Sequence, residues 1–372
     1  MEAVRSLFSP AHWSPLVKGS VKSIISAASG QAKSVNPRRL RFFAMLSGGQ
    51  QKERTRHMTI NPRKAAIIGC GAVGASIAFR FLQQGLFSQL VLLDVNRDKA
   101  EGEAMDLRDG LPYGAAMEIS AGSYDDIGDC ALVVITAGVN QKPGETRLDL
   151  IGKNTDILRS VLKEITARDF GGILLVVSNP VDVLTYVAWK LSGYPRERVL
   201  GSGTVLDTGR LKQLLGAELR VDSRNIHAFI IGEHGDSELA VWSEANVSGL
   251  ALEDFCRIRG QDLGGEERER LYREVRDSAY EIIRRKGATC YGIAMAVGRI
   301  AACIVRDERA VLPVSVVLEG QYGLDGLALS LPSVIGRRGL QEVLEIPLSQ
   351  EERDALESSA AQMREALAAL RL

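Results

Sequence analysis

Four short runs, residues 65–68, 90–94, 131–136 and 173–178, are apolar at nearly every position, and stretches with helical spacing separate them. A strand that is apolar on both faces needs cover on both, so the runs predict a parallel sheet with helices on either side. The fold class expected is α/β, a Rossmann doubly wound parallel sheet. After about Leu206 the pattern changes to a helix, a strand through Phe229-Ile230-Ile231 and a long Glu/Arg-rich helix over 266–285. That change predicts a second, α+β catalytic domain. Leu271, Val275, Ala279 and Ile282 recur at helical spacing in the long helix and predict a core-facing stripe. The longest apolar run, 291–305, contains Gly298 and Arg299, is too short to span a bilayer and predicts a buried helix. The expected division is a dinucleotide-binding domain over 58–206 and a catalytic domain over 207–372.

Residues 1–57 break this pattern. They are Ser-rich and carry ten Lys/Arg against two acidic residues, without sustained periodicity. The composition predicts a disordered basic extension, or one read from an upstream start, because Met58-Thr59-Ile60-Asn61 directly precedes the first strand. An organelle transit peptide and a nucleic-acid-binding arm share the same composition, but the arm's few aromatics are not interleaved with its basic residues as a stacking platform requires.

Over the whole chain of 372 residues the formal net charge is zero, which gives no global attraction to nucleic acid or to an anionic membrane. Neither is expected as a partner. Cys70, Cys130, Cys256, Cys290 and Cys303 stand singly, with no CxxC pair, and read as reduced core residues of a cytoplasmic protein without a metal site.

Two stretches carry recognisable chemistry. Gly69-Cys70-Gly71-Ala72-Val73-Gly74 follows the first predicted strand and opens a helix, the context in which glycines bring a backbone and a helix N-terminus against a pyrophosphate. Asp94 ends the second strand twenty residues beyond Gly74, where a carboxylate accepts from ribose hydroxyls and repels a 2′-phosphate. The cofactor expected is NAD. Further on, Asp207-Thr208-Gly209-Arg210 and Gly232-Glu233-His234-Gly235-Asp236 supply a carboxylate, a guanidinium and an imidazole. Such a set suits proton transfer at an anionic substrate: Asp207 can hold one ring nitrogen of His234, and Arg210 can grip a carboxylate with two hydrogen bonds.

Together with Gln141-Lys142-Pro143-Gly144-Glu145-Thr146-Arg147-Leu148-Asp149-Leu150 and Ser178-Asn179-Pro180, these motifs stand in the order found in L-lactate dehydrogenases. The chain resembles that family, its bacterial branch above all, from about Ala65 to the C-terminus. The resemblance implies that His234 is the proton acceptor and donor, Asp207 its partner, Arg147 the polariser of the substrate carbonyl and Arg210 the carboxylate anchor. It also implies that Asn179 touches the reacting oxygen, before a Pro180 whose peptide bond can be cis, and that Thr289 lines the substrate pocket. The cofactor is implied to meet Val73, Lys99, Tyr124, Gly138, Val139, Ser160, Val177, Ser178, Asn179 and Ser202, besides Gly69, Gly71, Gly74 and Asp94.

Gln141 decides the substrate expected. Malate dehydrogenases of the same superfamily place an arginine at this loop position, opposite the second carboxylate of oxaloacetate. A neutral residue leaves that carboxylate unpaired at a cost of roughly 3 to 5 kcal/mol, so the expected pair is lactate and pyruvate. The family further implies a homotetramer. In members activated by fructose 1,6-bisphosphate, an arginine and a histidine bind phosphate across a subunit interface, at positions that match Lys212 and His227 here. Lysine keeps the charge and loses the planar fork.

Overall fold

The computed structural model describes residues 59–139 and 147–370. The expectations for residues 1–57 and for Gln141 lie outside the described residues, and so does the side chain of Arg147.

The apolar runs become the centre of one sheet. β1 (Asn61–Ile68), β2 (Gln89–Leu93), β3 (Glu118–Ala121), β4 (Cys130–Ile135), β5 (Ile173–Val176) and β6 (Val199–Gly201) are parallel, in the order β3-β2-β1-β4-β5-β6. Ala65 to Ile68, Leu132 to Ile135 and Ile173 to Val176 are all buried, as two-sided cover demands. That cover comes from α1 (Ala72–Gln84), α2 (Arg97–Asp109), α3 (Arg147–Thr166) and α4 (Val181–Ser192), together with helices of the second half, whereas α5 (Val205–Leu219) packs its Leu211, Leu215 and Leu219 into a second, smaller core.

The second half is not a separate layer. β7 (Ile226–Ile231), β8 (Leu239–Val247) and β9 (Leu250–Ala251) make a small antiparallel sheet, followed by α6 (Leu252–Arg259), α7 (Gly265–Lys286) and α8 (Tyr291–Arg306). β10 (Ala310–Glu319), β11 (Asp325–Gly336) and β12 (Gly339–Val343) then return to the large sheet, where β10 pairs antiparallel with β6 through Ser315 and Gly201. The sheet therefore has nine strands among the described residues and runs unbroken across the 206/207 division. α9 (Gln350–Ala368) closes the chain, started by a capping box in which Ser349 and Glu352 each bond the other's backbone N–H.

α7 begins with Glu266 and Glu267 and ends with Arg284, Arg285, Lys286 and a left-handed Gly287, charges that complement the helix dipole at both ends. Its stripe is buried at Leu271 and Val275, whereas Ala279 and Ile282 are half-buried because the helix leaves the core and borders a cavity. α8, expected to be buried, is buried along one face only: Ala294, Val297, Ile300, Ala301 and Ile304 face the core, while Tyr291, Met295 and Arg299 are exposed. Gly298, which the sequence reads as an interruption, is where α8 crosses α1: a Cβ there meets the Arg80 side chain at 2.9 Å, and Gln84 Nε2 donates to the Gly298 carbonyl at 3.2 Å. All five cysteines are buried and free.

Candidate active site

Two threonines fasten the start of α5 to β7. Thr204 Oγ1 donates to the Ile230 carbonyl at 2.5 Å, and the Ile230 N–H donates to Thr208 Oγ1 at 2.9 Å. Asp207 lies between them and so faces the chain that leaves β7. That chain turns at Gly232, which bridges to Ser330 of β11 and has φ of +91°, where a Cβ meets Ser359 Oγ at 2.9 Å. The next two N–H groups are held from elsewhere: Glu233 donates to Ser359 Oγ at 2.8 Å and His234 to Asp182 Oδ2 at 2.7 Å. The backbone of His234 is thereby fixed before its ring does anything.

The ring meets Asp207, with Nδ1 and Oδ2 2.7 Å apart. The other oxygen of Asp207 accepts from Arg210 Nη1 at 2.8 Å. Asp207 is 2% exposed at its side chain, Arg210 13% and His234 23%, so the carboxylate is sealed while the imidazole keeps an open side. Burial works against charge on His234, but the Asp207 carboxylate outweighs it and holds the imidazole up to about 9. Burial likewise works against charge on Asp207, and His234 and Arg210 more than offset it, keeping that carboxyl below its usual range. Burial pushes the Asp182 carboxyl up to about 6, against the hydrogen bond from the His234 backbone. Arg210 also lines a cavity of about 650 Å³ between α5 and α7, and its Nε and Nη2 have no partner among the described residues.

At the carboxyl end of β1 the glycines meet two different needs. Gly69 has φ of +103°, and a Cβ on Gly74 lies 1.9 Å from the Gly69 carbonyl oxygen, so neither position admits a side chain. Gly71 caps α1 with no side-chain hydrogen bond, and a Cβ added to it would meet nothing within 4 Å, leaving the first amides of the helix free for an anion. Asp94 accepts from the Cys70 N–H at 2.7 Å and the Asn96 N–H at 2.9 Å, which sets it beside the glycine turn. These residues fit a dinucleotide.

The expected cofactor contacts divide into two groups. Val73, Gly138, Val139, Val177, Ser178, Asn179 and Ser202 sit in the first turn of α1 or just beyond the carboxyl ends of β4, β5 and β6, around the crevice where a doubly wound sheet binds its ligand. Asn154 of α3 joins them, accepting from the Val139 N–H at 2.8 Å and donating to the Asn179 carbonyl at 2.7 Å. Lys99, Tyr124 and Ser160 are more peripheral: Lys99 is exposed on α2, Tyr124 lies under Arg168 at 5.6 Å, and Ser160 is exposed and donates to the Asp156 carbonyl at 3.0 Å. The Asn179–Pro180 peptide bond is cis. Thr289 is half-buried in the short segment between α7 and α8. Lys212 is half-buried on α5, where burial lowers its ammonium from the usual value, and His227 is exposed on β7.

Asp182, Ser359 and Asn154 are not legible in the sequence as site residues. Each acts from a distant element through the backbone of a recognisable motif. Asp182 alone has a faint signal, a carboxylate just after Asn179-Pro180 in an otherwise apolar helix.

Comparison with known proteins agrees with this geometry. Residues 63–201 match the NAD binding domain of lactate/malate dehydrogenases, and residues 204–370 match the alpha/beta C-terminal domain of the same family. An L-lactate dehydrogenase of Clostridium perfringens is 49% identical over 297 residues, 80% of this chain and 94% of the relative. One from Acetivibrio thermocellus is 47% identical over 308 residues, covering 83% and 97%. The crystal structure of the minor L-lactate dehydrogenase of Enterococcus mundtii in its ligands-bound form superposes with a TM-score of 0.81 at 44% identity, covering 83% of this chain and 99% of that one. With both domains matched in order, the chain belongs to the lactate/malate dehydrogenase family.

Proposed function

We propose that the chain interconverts (S)-lactate and pyruvate with NAD. The observation that carries this reading is the buried Asp207, whose two oxygens hold the His234 ring and the Arg210 guanidinium side by side. A 2-hydroxy acid needs both: a group that exchanges the hydroxyl proton, and a cation for the carboxylate on the neighbouring carbon. When bound, the nicotinamide accepts or donates the hydride. In oxidation His234 takes the hydroxyl proton through its free nitrogen, while Asp207 fixes the tautomer and stabilises the imidazolium. In reduction an imidazole held up to about 9 is already charged at neutral pH and ready to protonate the carbonyl oxygen. Arg210 orients the substrate through nitrogens that Asp207 does not occupy.

Arg147 begins α3 and is the residue that stabilises the charge on the carbonyl oxygen. Gln141 selects the monocarboxylate, Asn179 meets the reacting oxygen, and Thr289 borders the substrate. Gly69, Gly71, Gly74 and Asp94 hold the cofactor's pyrophosphate and ribose, with Val73, Gly138, Val139, Val177, Ser178 and Ser202 beside it and Lys99, Tyr124 and Ser160 at its margins. The domains divide near 206/207. The working form is a cytoplasmic homotetramer in fermentative glycolysis, and Lys212 and His227 take fructose 1,6-bisphosphate as an activating effector. Steady-state NADH oxidation with pyruvate and with oxaloacetate tests the central claim. Pyruvate is expected to win by about two to four decades in kcat/KM; a preference for oxaloacetate overturns it.

A further inference from the structure

Glu238 stands outside the machinery described so far. It lies in the turn between His234 and β8, where its N–H donates to the Gly235 carbonyl at 3.2 Å, and it is 3% exposed. Its Oε1 is enclosed with no hydrogen-bond partner among the described residues. An oxygen of Glu238, an oxygen of Asp207 and a ring nitrogen of His234 all lie within 4.8 Å of one another. Asp207 alone suffices to orient the ring, and a polar atom buried without a partner is costly, so a second acid at this spot calls for a role.

The groups that face it can be named. From α5 come Asp207 and Arg210, and from its own segment His234 and the Gly235 N–H. Tyr272 of α7 donates its hydroxyl to the Glu238 carbonyl oxygen, and Asp182 of α4 holds His234 from the backbone side. Burial and then the Asp207 charge push the Glu238 carboxyl up to about 8, with His234 pulling the other way.

We propose that Glu238 is a positioning residue for the reaction proposed above, acting through His234 to keep the imidazole charged. At neutral pH its carboxyl keeps its proton and adds no charge. As the medium turns alkaline the two groups titrate as a pair, and ionisation of the carboxyl places a second negative charge beside the imidazolium. The proton on His234 is then held more tightly, and reduction of the oxoacid extends to higher pH.

The experiment is the pH profile of kcat/KM for pyruvate, from about pH 6 to about pH 10, in the parent, Glu238→Gln and Glu238→Asp. The alkaline limb of Glu238→Gln is expected about one unit lower than the parent's, with Glu238→Asp closer to the parent. Coincident limbs for parent and Glu238→Gln overturn the proposal. A second measurement needs no altered acid: the His234 ring signal of the parent, assigned by its loss in His234→Asn, is followed by NMR across the same range. Two steps are expected, because a coupled pair titrates as a pair; a single step overturns the proposal. If the parent fails to turn over pyruvate at all, the lactate reading falls, and the ring titration still decides whether Glu238 controls His234.

Discussion

Replacing Asp207 by Asn tests the core of the mechanism, since it keeps the shape of the side chain and removes its charge and one of its two acceptor oxygens. In the parent, burial pulls His234 down and the Asp207 carboxylate pulls it up to about 9. Without that carboxylate the largest upward pull is gone, burial outweighs the weaker pulls of Glu238 and Asp182, and the imidazole drops to about 6.5 or lower. At a pH of about 7.5 the protonated fraction then falls from roughly 97% to roughly 9% or less, a tenfold loss of the form that reduces pyruvate. A shift of about 2.5 units corresponds to about 3.4 kcal/mol of lost proton affinity. Asparagine also presents an amide N–H₂ where Arg210 and the ring both need an acceptor, so the true loss exceeds tenfold. The assay is kcat/KM for pyruvate against pH, with NADH binding and the thermal midpoint as controls for folding. The alkaline limb should move from near 9 to about 6.5 or below, with part of the lost activity returning in mild acid. A limb that stays near 9 in a folded Asp207→Asn protein would falsify the assignment of His234 as the proton donor and Asp207 as its partner.

Further outcomes follow from the same geometry. Gly74→Ala should weaken NADH binding, read by fluorescence titration, by at least tenfold or destabilise the fold by about 1–3 kcal/mol, because its Cβ falls 1.9 Å from the Gly69 carbonyl oxygen; unchanged binding and thermal midpoint contradict this account of the turn. Gln141→Arg should move the pyruvate-to-oxaloacetate ratio of kcat/KM towards oxaloacetate by about two decades or more, and an unchanged ratio sinks the loop-charge argument. Fructose 1,6-bisphosphate should activate pyruvate reduction modestly at low substrate and lose that effect in Lys212→Ala; equal activation in both proteins rules out that site.

Four of the six parallel strands, β1, β2, β4 and β5, are legible in the sequence because burial on both faces leaves an unbroken apolar run; β3, partly exposed at the sheet edge, and the three-residue β6 leave no such run. The catalytic trio is legible for a different reason: its residue types are rare together and lie within two short stretches. Contacts that cross the fold leave no such trace. Asp182 reaches His234 over 52 residues, Ser359 reaches Glu233 over 126, and nothing local to a serine in the middle of α9 reveals that its hydroxyl props an active-site loop. Gly298 misleads on its own, since a glycine inside an apolar helix weakens the helix unless another backbone or side chain occupies the space, as Arg80 does here.

The unbroken sheet has a consequence for how the molecule comes apart. β6 has three residues and is clasped between β5, its neighbour in sequence, and β10, more than a hundred residues downstream. Cutting the chain between the two family segments strips β6 of one partner and bares an apolar strand edge, the kind of surface that recruits other chains into aggregates. Each segment on its own is therefore expected to aggregate more readily than the intact chain. Because β6 gains its second partner only when the distant β10 arrives, refolding is expected to be slow and to be limited by closure of that long loop.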